Sequence, residues 1–138
     1  MCIFCKIINK EIPSYPIYED DKVIAILDIS QVCKGHTLII PKQHYPNFLS
    51  CEDSTLTHMM KVAKALGNHL LQTTGASGMN VLSNVHEVAG QTIDHCHIHL
   101  IPRYSEKDAI QISFHPNKED HDFASLMNTL AIQSLDIL

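Results

Sequence analysis

An α+β domain is predicted by three features of this 138-residue chain. Short β-rich apolar runs recur and are ended by Pro, Gly or paired charges. One long stretch carries apolar residues at helical spacing. No internal repeat, low-complexity segment or linker divides residues 1–138, so one domain is expected, with the motifs in 2–103 and a tail over 104–138. A chain of this length can bury roughly two thirds of its unfolded surface.

Phe4 to Asn9 reads as a short helix, ended by the Ile12-Pro13 step. Ile17 to Glu19 reads as a strand, Asp20-Asp21 as a turn, and Val23 to Leu27 as a second strand with Asp28 at its end. After the Lys34-Gly35 turn, Thr37 to Ile40 forms a strand stopped by Pro41. Asp53 or Ser54 can cap a long helix, whose residues Leu56, Met59, Met60, Ala63, Leu66 and Leu70 follow the 3.6-residue period. Gly75 and Gly78 end it. Met79 to Ser83 reads as a strand, and Thr92 to Ile101 as the longest one, halted by Pro102. Phe123, Leu126, Met127 and Leu130 mark a C-terminal helix. Strands with one helix between them and one after suit an antiparallel sheet with helices packed on it.

Composition narrows the function. Hydrophobic residues make up 45% and charged residues 18%, which fits a globular chain and not a disordered one. No apolar run approaches the roughly 20 residues of a membrane span, and the first residues lack a charged export region, so a cytoplasmic protein is expected. The net charge of −5 argues against a binder of nucleic-acid backbones. Five cysteines, an odd number, argue against a disulfide framework and leave metal or thiol chemistry open. Ten histidines equal Lys and Arg combined, and imidazole is the nucleophile, acid–base and metal ligand of neutral pH.

The sharpest feature is His95-Cys96-His97-Ile98-His99-Leu100-Ile101. In a strand, His95, His97 and His99 share one face while Cys96, Ile98 and Leu100 point to the core. Such a row could bind phosphate oxygens, attack phosphorus or hold a metal. A purely metal-binding row would explain the histidines, but not the polar loops around them.

This segment resembles the His-φ-His-φ-His-φ-φ signature of the histidine triad (HIT) superfamily. From Ile3 to Arg103 the chain is similar to its Hint branch: Ile-Phe-Cys-Lys-Ile-Ile at the start, Leu-Asp-Ile at 27–29, Gly-His-Thr-Leu-Ile-Ile-Pro-Lys at 35–42, Asn84, and Gly90-Gln91-Thr92. The resemblance implies a sheet of about five antiparallel strands with one long helix and shorter terminal ones. It also implies a nucleotide hydrolase or nucleotidyl transferase working at an α-phosphate. His97 would be the nucleophile, His99 a phosphate contact, and His36 a supporting or proton-handling group. Gln91 and Thr92 resemble loop donors to phosphate oxygens, with Gly90 allowing close backbone approach. A transferase branch, resembling galactose-1-phosphate uridylyltransferases, has glutamine at the position of His99, so hydrolysis is favoured here.

Asp28 and Ile29 fall where the family contacts ribose and base, and a carboxylate can accept both ribose hydroxyls. Asp28 also reads as a strand-end turn residue. Ile3, Phe4, Ile7 and Ile26 fall on the family's apolar base slot and read equally well as plain core. Asn84 resembles a substrate contact or a turn former. Cys2 and Cys5 form a Cys-x-x-Cys pair, and several bacterial Hint-like proteins hold zinc on such a pair with histidines at the positions of His44 and His95. The resemblance therefore implies a structural zinc on Cys2, Cys5, His44 and His95. Cys33, Cys51 and Cys96, and also His58, His69, His86, His115 and His121, read as ordinary residues.

The expected activity is purine nucleoside phosphoramidase, releasing AMP or GMP from an amine through a nucleotidyl-His97 intermediate. Dinucleoside polyphosphate hydrolysis and a non-catalytic nucleotide- or zinc-binding module are the alternatives. The family also implies a twofold homodimer.

Overall fold

The computed structural model describes residues 2–137. Its elements are α1 (Ile3–Ile8), β1 (Pro16–Glu19), β2 (Val23–Leu27), β3 (Thr37–Pro41), α2 (Asp53–Thr74), β4 (Gly78–Leu82), β5 (Ile98–Arg103) and α3 (Phe123–Leu130). The five strands form one antiparallel sheet in the order β1-β2-β3-β5-β4. This is the α+β architecture the sequence predicts.

Both faces of β2 and β3 are covered, which is why these strands are unbroken apolar runs. Val23, Ala25, Ile39, Ile98 and Leu100 pack under α2 against Met59, Val62, Ala63 and Leu70. Ile24, Ile26, Leu38 and Ile40 face the other way and pack against Phe4 and Ile7 of α1. The buried stripe of α2 keeps the predicted period through Met59, Ala63 and Leu70, whereas Met60 turns out 46% exposed, and Gly75 ends the helix in the left-handed conformation, with φ 73°. Its N-cap is Glu52, without a side-chain cap bond, so neither Asp53 nor Ser54 performs the expected capping.

β1, β3 and β4 depart from their expected limits by one residue, Pro41 lying inside β3; the larger differences are the two ends of β5, and prolines explain both. β5 starts at Ile98 and not at Thr92. Its pairing with β3 begins at Ile39↔Ile98, and Pro41 has no N–H to extend the ladder. The Pro41 carbonyl takes the His95 ring instead, and the Cys96 N–H goes to Tyr45. At the other end, Pro102 sits inside β5. Pairing to β3 has already stopped at Leu100, so the missing N–H faces no strand there. α3 forms where its periodicity predicts, with Asp122 accepting from the Ser125 N–H. All residues of 111–137 are exposed.

Candidate functional site: a histidine cluster at one end of the sheet

Three neighbouring chain segments bring polar residues to the same place by the period of two. On the α1 face of the sheet, Ile24 and Ile26 are followed by Asp28, and Ile40 and Leu38 are preceded by His36. His95, His97 and His99 alternate with Cys96, Ile98 and Leu100, which lie in the opposite core layer. The alternation thus persists through residues 95–97, although they precede the hydrogen-bonded strand. The Asp28 N–H donates to the His36 carbonyl at 3.0 Å, extending the β2–β3 ladder and placing both side chains beside His99.

Carbonyl partners settle two tautomers. His97 Nδ1 lies 2.6 Å from the His95 carbonyl, which can only accept, so Nδ1 carries the proton and Nε2 keeps a lone pair. His95 Nε2 lies 2.8 Å from the Pro41 carbonyl, so the His95 lone pair is on Nδ1. His36 Nε2 and His99 Nδ1 are 2.9 Å apart and share one hydrogen. Asp28 Oδ2 is 3.7 Å from His36 Nε2, and His36 Nδ1 is buried with no partner among the described residues.

Burial dominates the protonation of this group. It lowers the pKa of His36, opposed by the Asp28 carboxylate. It also lowers that of His97, opposed by the hydrogen bond to the His95 carbonyl and by Asp28. For His99, burial and the neighbouring His97 and His36 bring the pKa down to about 4. All three rings are therefore neutral at pH 7.

Beside the rings lies a cavity of about 400 Å³. Ile3, Phe4, Ile7, Ile26, Asp28, Ile29 and Thr92 line it, together with Ile12, Pro13, Ser14, Leu38 and Ile93. Ile12, Pro13 and Ser14 carry no sequence signal beyond a helix-ending turn, and Ile93 none beyond the expected strand. Asp28 acts as a strand-end turn residue, its Oδ1 accepting from the Ser30 N–H at 2.8 Å, and it also lines the cavity. Phe4 and Ile7 are likewise both core and cavity wall. Ile29 is 85% exposed and stands at the rim.

The loop before His95 differs from expectation in one residue. The Gln91 amide donates to the Pro46 and Ile93 carbonyls at 2.7 and 3.0 Å, and its oxygen accepts from the His86 N–H. Its own backbone N–H donates to the His86 carbonyl. Gln91 is therefore a brace of the loop, and neither its side chain nor its N–H is free to donate to a phosphate. Thr92 is exposed and free at the cavity. Asn84 donates to the Gly90 carbonyl, and a Cβ on Gly90 would lie 3.3 Å from the Asn84 amide, so only glycine allows this approach at φ 97°.

Cys2, Cys5, His44 and His95 converge at the other end of the histidine row. Cys2 Sγ is 3.4 Å from His95 Nδ1, and Cys5 Sγ is 3.4 and 3.6 Å from His44 Nδ1 and His95 Nδ1. The two Nδ1 atoms are 3.0 Å apart. Ligands about 2.0–2.3 Å from a tetrahedral zinc stand about 3.3–3.8 Å from one another, so the four donors form a cage of nearly that size. The His95 lone pair points into it. This donor set fits a zinc-type metal ion.

Among the histidines without an assigned role, His58 has a structural one. Its Nε2 is 2.6 Å from Asp20 Oδ2, tying α2 to the β1–β2 turn. His69, His86, His115 and His121 are exposed, and Cys51 and Cys96 are buried under α2. Cys33, half-buried, donates to the Pro102 carbonyl.

A family model described as the HIT domain matches residues 9–106. The chain belongs to the HIT family. Among its HIT relatives, Protein hit of Bacillus subtilis is 40% identical over 127 residues, covering 92% of this chain and 88% of that protein. A Saccharomyces cerevisiae adenosine 5'-monophosphoramidase is 40% identical over 121 residues, 88% of this chain and 74% of the relative. The crystal structure of a HIT family protein from Bacillus anthracis superposes with a TM-score of 0.86 at 41% identity, covering 93% of this chain and 91% of the other. No helix among the described residues is long and apolar enough to cross a membrane.

Proposed function

We propose that this HIT protein hydrolyses purine nucleoside phosphoramidates, releasing AMP or GMP from an amine through a nucleotide bound covalently to His97. The observation that carries this reading is the state of His97: neutral by burial, with Nδ1–H tied to the His95 carbonyl and the lone pair on Nε2. An imidazole held this way is a nucleophile ready at neutral pH. The adjoining 400 Å³ cavity suits a nucleoside, with apolar walls for a base and Asp28 Oδ2 for the ribose hydroxyls. The named activity of the yeast relative is of the same class.

His97 Nε2 attacks the α-phosphorus, the bond from phosphorus to the amine nitrogen breaks, and the amine leaves with a proton. Water then attacks the phosphorus, giving a proton to the His99 that has protonated the amine, the bond to Nε2 breaks, and AMP departs. His99 is neutral in the free protein, and a bound phosphate raises its pKa by opposite charge, so it takes up a proton with the substrate and can deliver it to the amine. His36 shares a hydrogen with His99, and the Asp28 carboxylate 3.7 Å from the same His36 nitrogen favours positive charge on this pair. His95 lies outside this chemistry, because its lone pair faces the cysteines.

Cys2, Cys5, His44 and His95 hold a structural zinc in this reading, supported by the spacing of their donors. Four protein ligands would fill a tetrahedral site, so no step of the reaction is assigned to the metal. The working form is a homodimer. Incubation with adenosine 5'-phosphoramidate carrying ³²P, followed by quenching, tests the mechanism: one acid-labile nucleotide per chain is expected, and none on His97→Ala. Full turnover by His97→Ala would refute it.

A further inference from the structure

Among the described residues, α1 is the helix shared by the cysteine–histidine cage and the nucleoside cavity. Cys2 precedes its first residue and Cys5 lies one turn on, so both thiols reach the cage. Ile3, Phe4 and Ile7 form the cavity wall from the same six-residue helix. Phe4 links the two directly. Its ring meets His95 edge-on with centroids 5.8 Å apart, and His97 likewise at 5.1 Å.

So short a helix does not stand alone, since isolated helices need about 12–15 residues to be even marginally stable in water. It has no side-chain N-cap bond. What fixes it is the packing of Phe4 and Ile7 on Ile24, Ile26, Leu38 and Ile40, and the attachment of its first turn to His44 and His95 through the two thiols. A metal ion replaces weak S–H···N contacts by coordinate bonds, whereas the thiols alone are poor hydrogen-bond donors. The ribose and phosphate side of the cavity is built differently. Asp28, His36 and His99 belong to the sheet and its turns, whereas the thiols' hydrogen-bond partners are His44 and His95.

We propose that metal occupancy of the Cys2–Cys5–His44–His95 cage sets the affinity of the cavity for the nucleobase, by ordering α1 as the wall on which the base rests. The proposal rests on the nucleotide-binding reading above. Linkage makes the effect reciprocal: a nucleotide that presses on α1 must tighten the metal by the same factor by which the metal tightens the nucleotide. The predicted signature is selective. Metal loss weakens ligands that carry a base and spares those that end at the ribose.

Calorimetry of the full chain, zinc-loaded and chelator-stripped, with AMP and with ribose 5-phosphate, tests this. Stripping is expected to raise the Kd of AMP about tenfold, within the 5–150-fold range of such couplings, and to leave ribose 5-phosphate within about twofold. Zinc affinity, measured against a chelating dye, should rise about tenfold in the presence of AMP. Phe4→Ala, which keeps all four ligands, should weaken AMP but not ribose 5-phosphate at unchanged zinc content. An AMP Kd or a zinc affinity indifferent to the other ligand overturns the coupling, while AMP binding itself still upholds the nucleotide reading. Equal weakening of AMP and ribose 5-phosphate overturns the role of α1 and points to the histidine row. Failure of loaded protein to bind AMP at all removes the nucleotide reading and the coupling with it. Should stripped protein unfold, the Phe4→Ala and dye measurements on folded protein decide.

Discussion

His97 and His99 stand two positions apart on the same face, yet their hydrogen-bond partners suit them to different tasks. The hydrogen bond to the His95 carbonyl aims a lone pair from His97, whereas His99 faces His36 and can hold a proton only when an anion arrives. Departing amines need protonation and a nitrophenolate does not. His99→Ala should therefore slow AMP–amine hydrolysis at least tenfold more than hydrolysis of the AMP nitrophenyl ester, read as kcat/KM for both substrates. Equal slowing would reduce His99 to a phosphate contact. The pH profile follows from the same burial. kcat/KM reports the free enzyme, and the reactive form of His97 is the neutral one, so activity is present above its pKa and lost as pH falls through it. Because burial lowers that pKa, the acid limb should lie below the ordinary histidine value of about 6.5. A midpoint at or above 6.5 would contradict the burial argument.

At the level of elements, the Asp20 turn shows how a local motif acquires a distant partner. Burial by itself would raise the pKa of Asp20, but hydrogen bonds from His58, the Lys22 N–H, Tyr18 and the Val23 N–H outweigh it and hold the carboxyl well below its usual range. A folded-state pKa below the unfolded one contributes stability above about pH 4, lost as pH falls further. Asp20→Ala should cost about 2 kcal/mol at pH 7 and much less near pH 2, measured by urea unfolding at both. The turn was legible in Asp20-Asp21, but His58 was not, because nothing local joins residues 38 apart in sequence. Gln91 escaped for the same reason, since its amide reaches back to Pro46. The histidine row was legible because period-two alternation survives even where the ladder stops. Its strand limits were not, because whether a proline ends a strand depends on whether a partner faces its missing N–H. That is a property of the sheet: Pro41 ends the ladder toward β5, and Pro102 stays inside one.

For the whole molecule, the unanswered surface is the one α2 and β4 share. β4 is an edge strand paired only with β5 among the described residues, and such an edge offers unsatisfied N–H and C=O groups to another chain. Val81 on that strand is 56% exposed, and Met60 on α2 beside it is 46% exposed. Both line a shallow groove with Ala63, Gly67, Leu71 and Met79. The other edge, β1, lies at the far side of the sheet and has the charged Glu19 as its last residue. A second copy that set its β4 antiparallel to this one would continue the sheet and cover both side chains, which is the form the proposed homodimer takes. Introducing a charge at the centre of that contact then opposes burial directly. Val81→Asp should shift the protein from dimer to monomer in sedimentation equilibrium. Ile17→Asp, on the opposite edge, should leave the dimer intact. A Val81→Asp protein that still sediments as a dimer would move the interface away from β4, and loss of the dimer on Ile17→Asp would place it at β1.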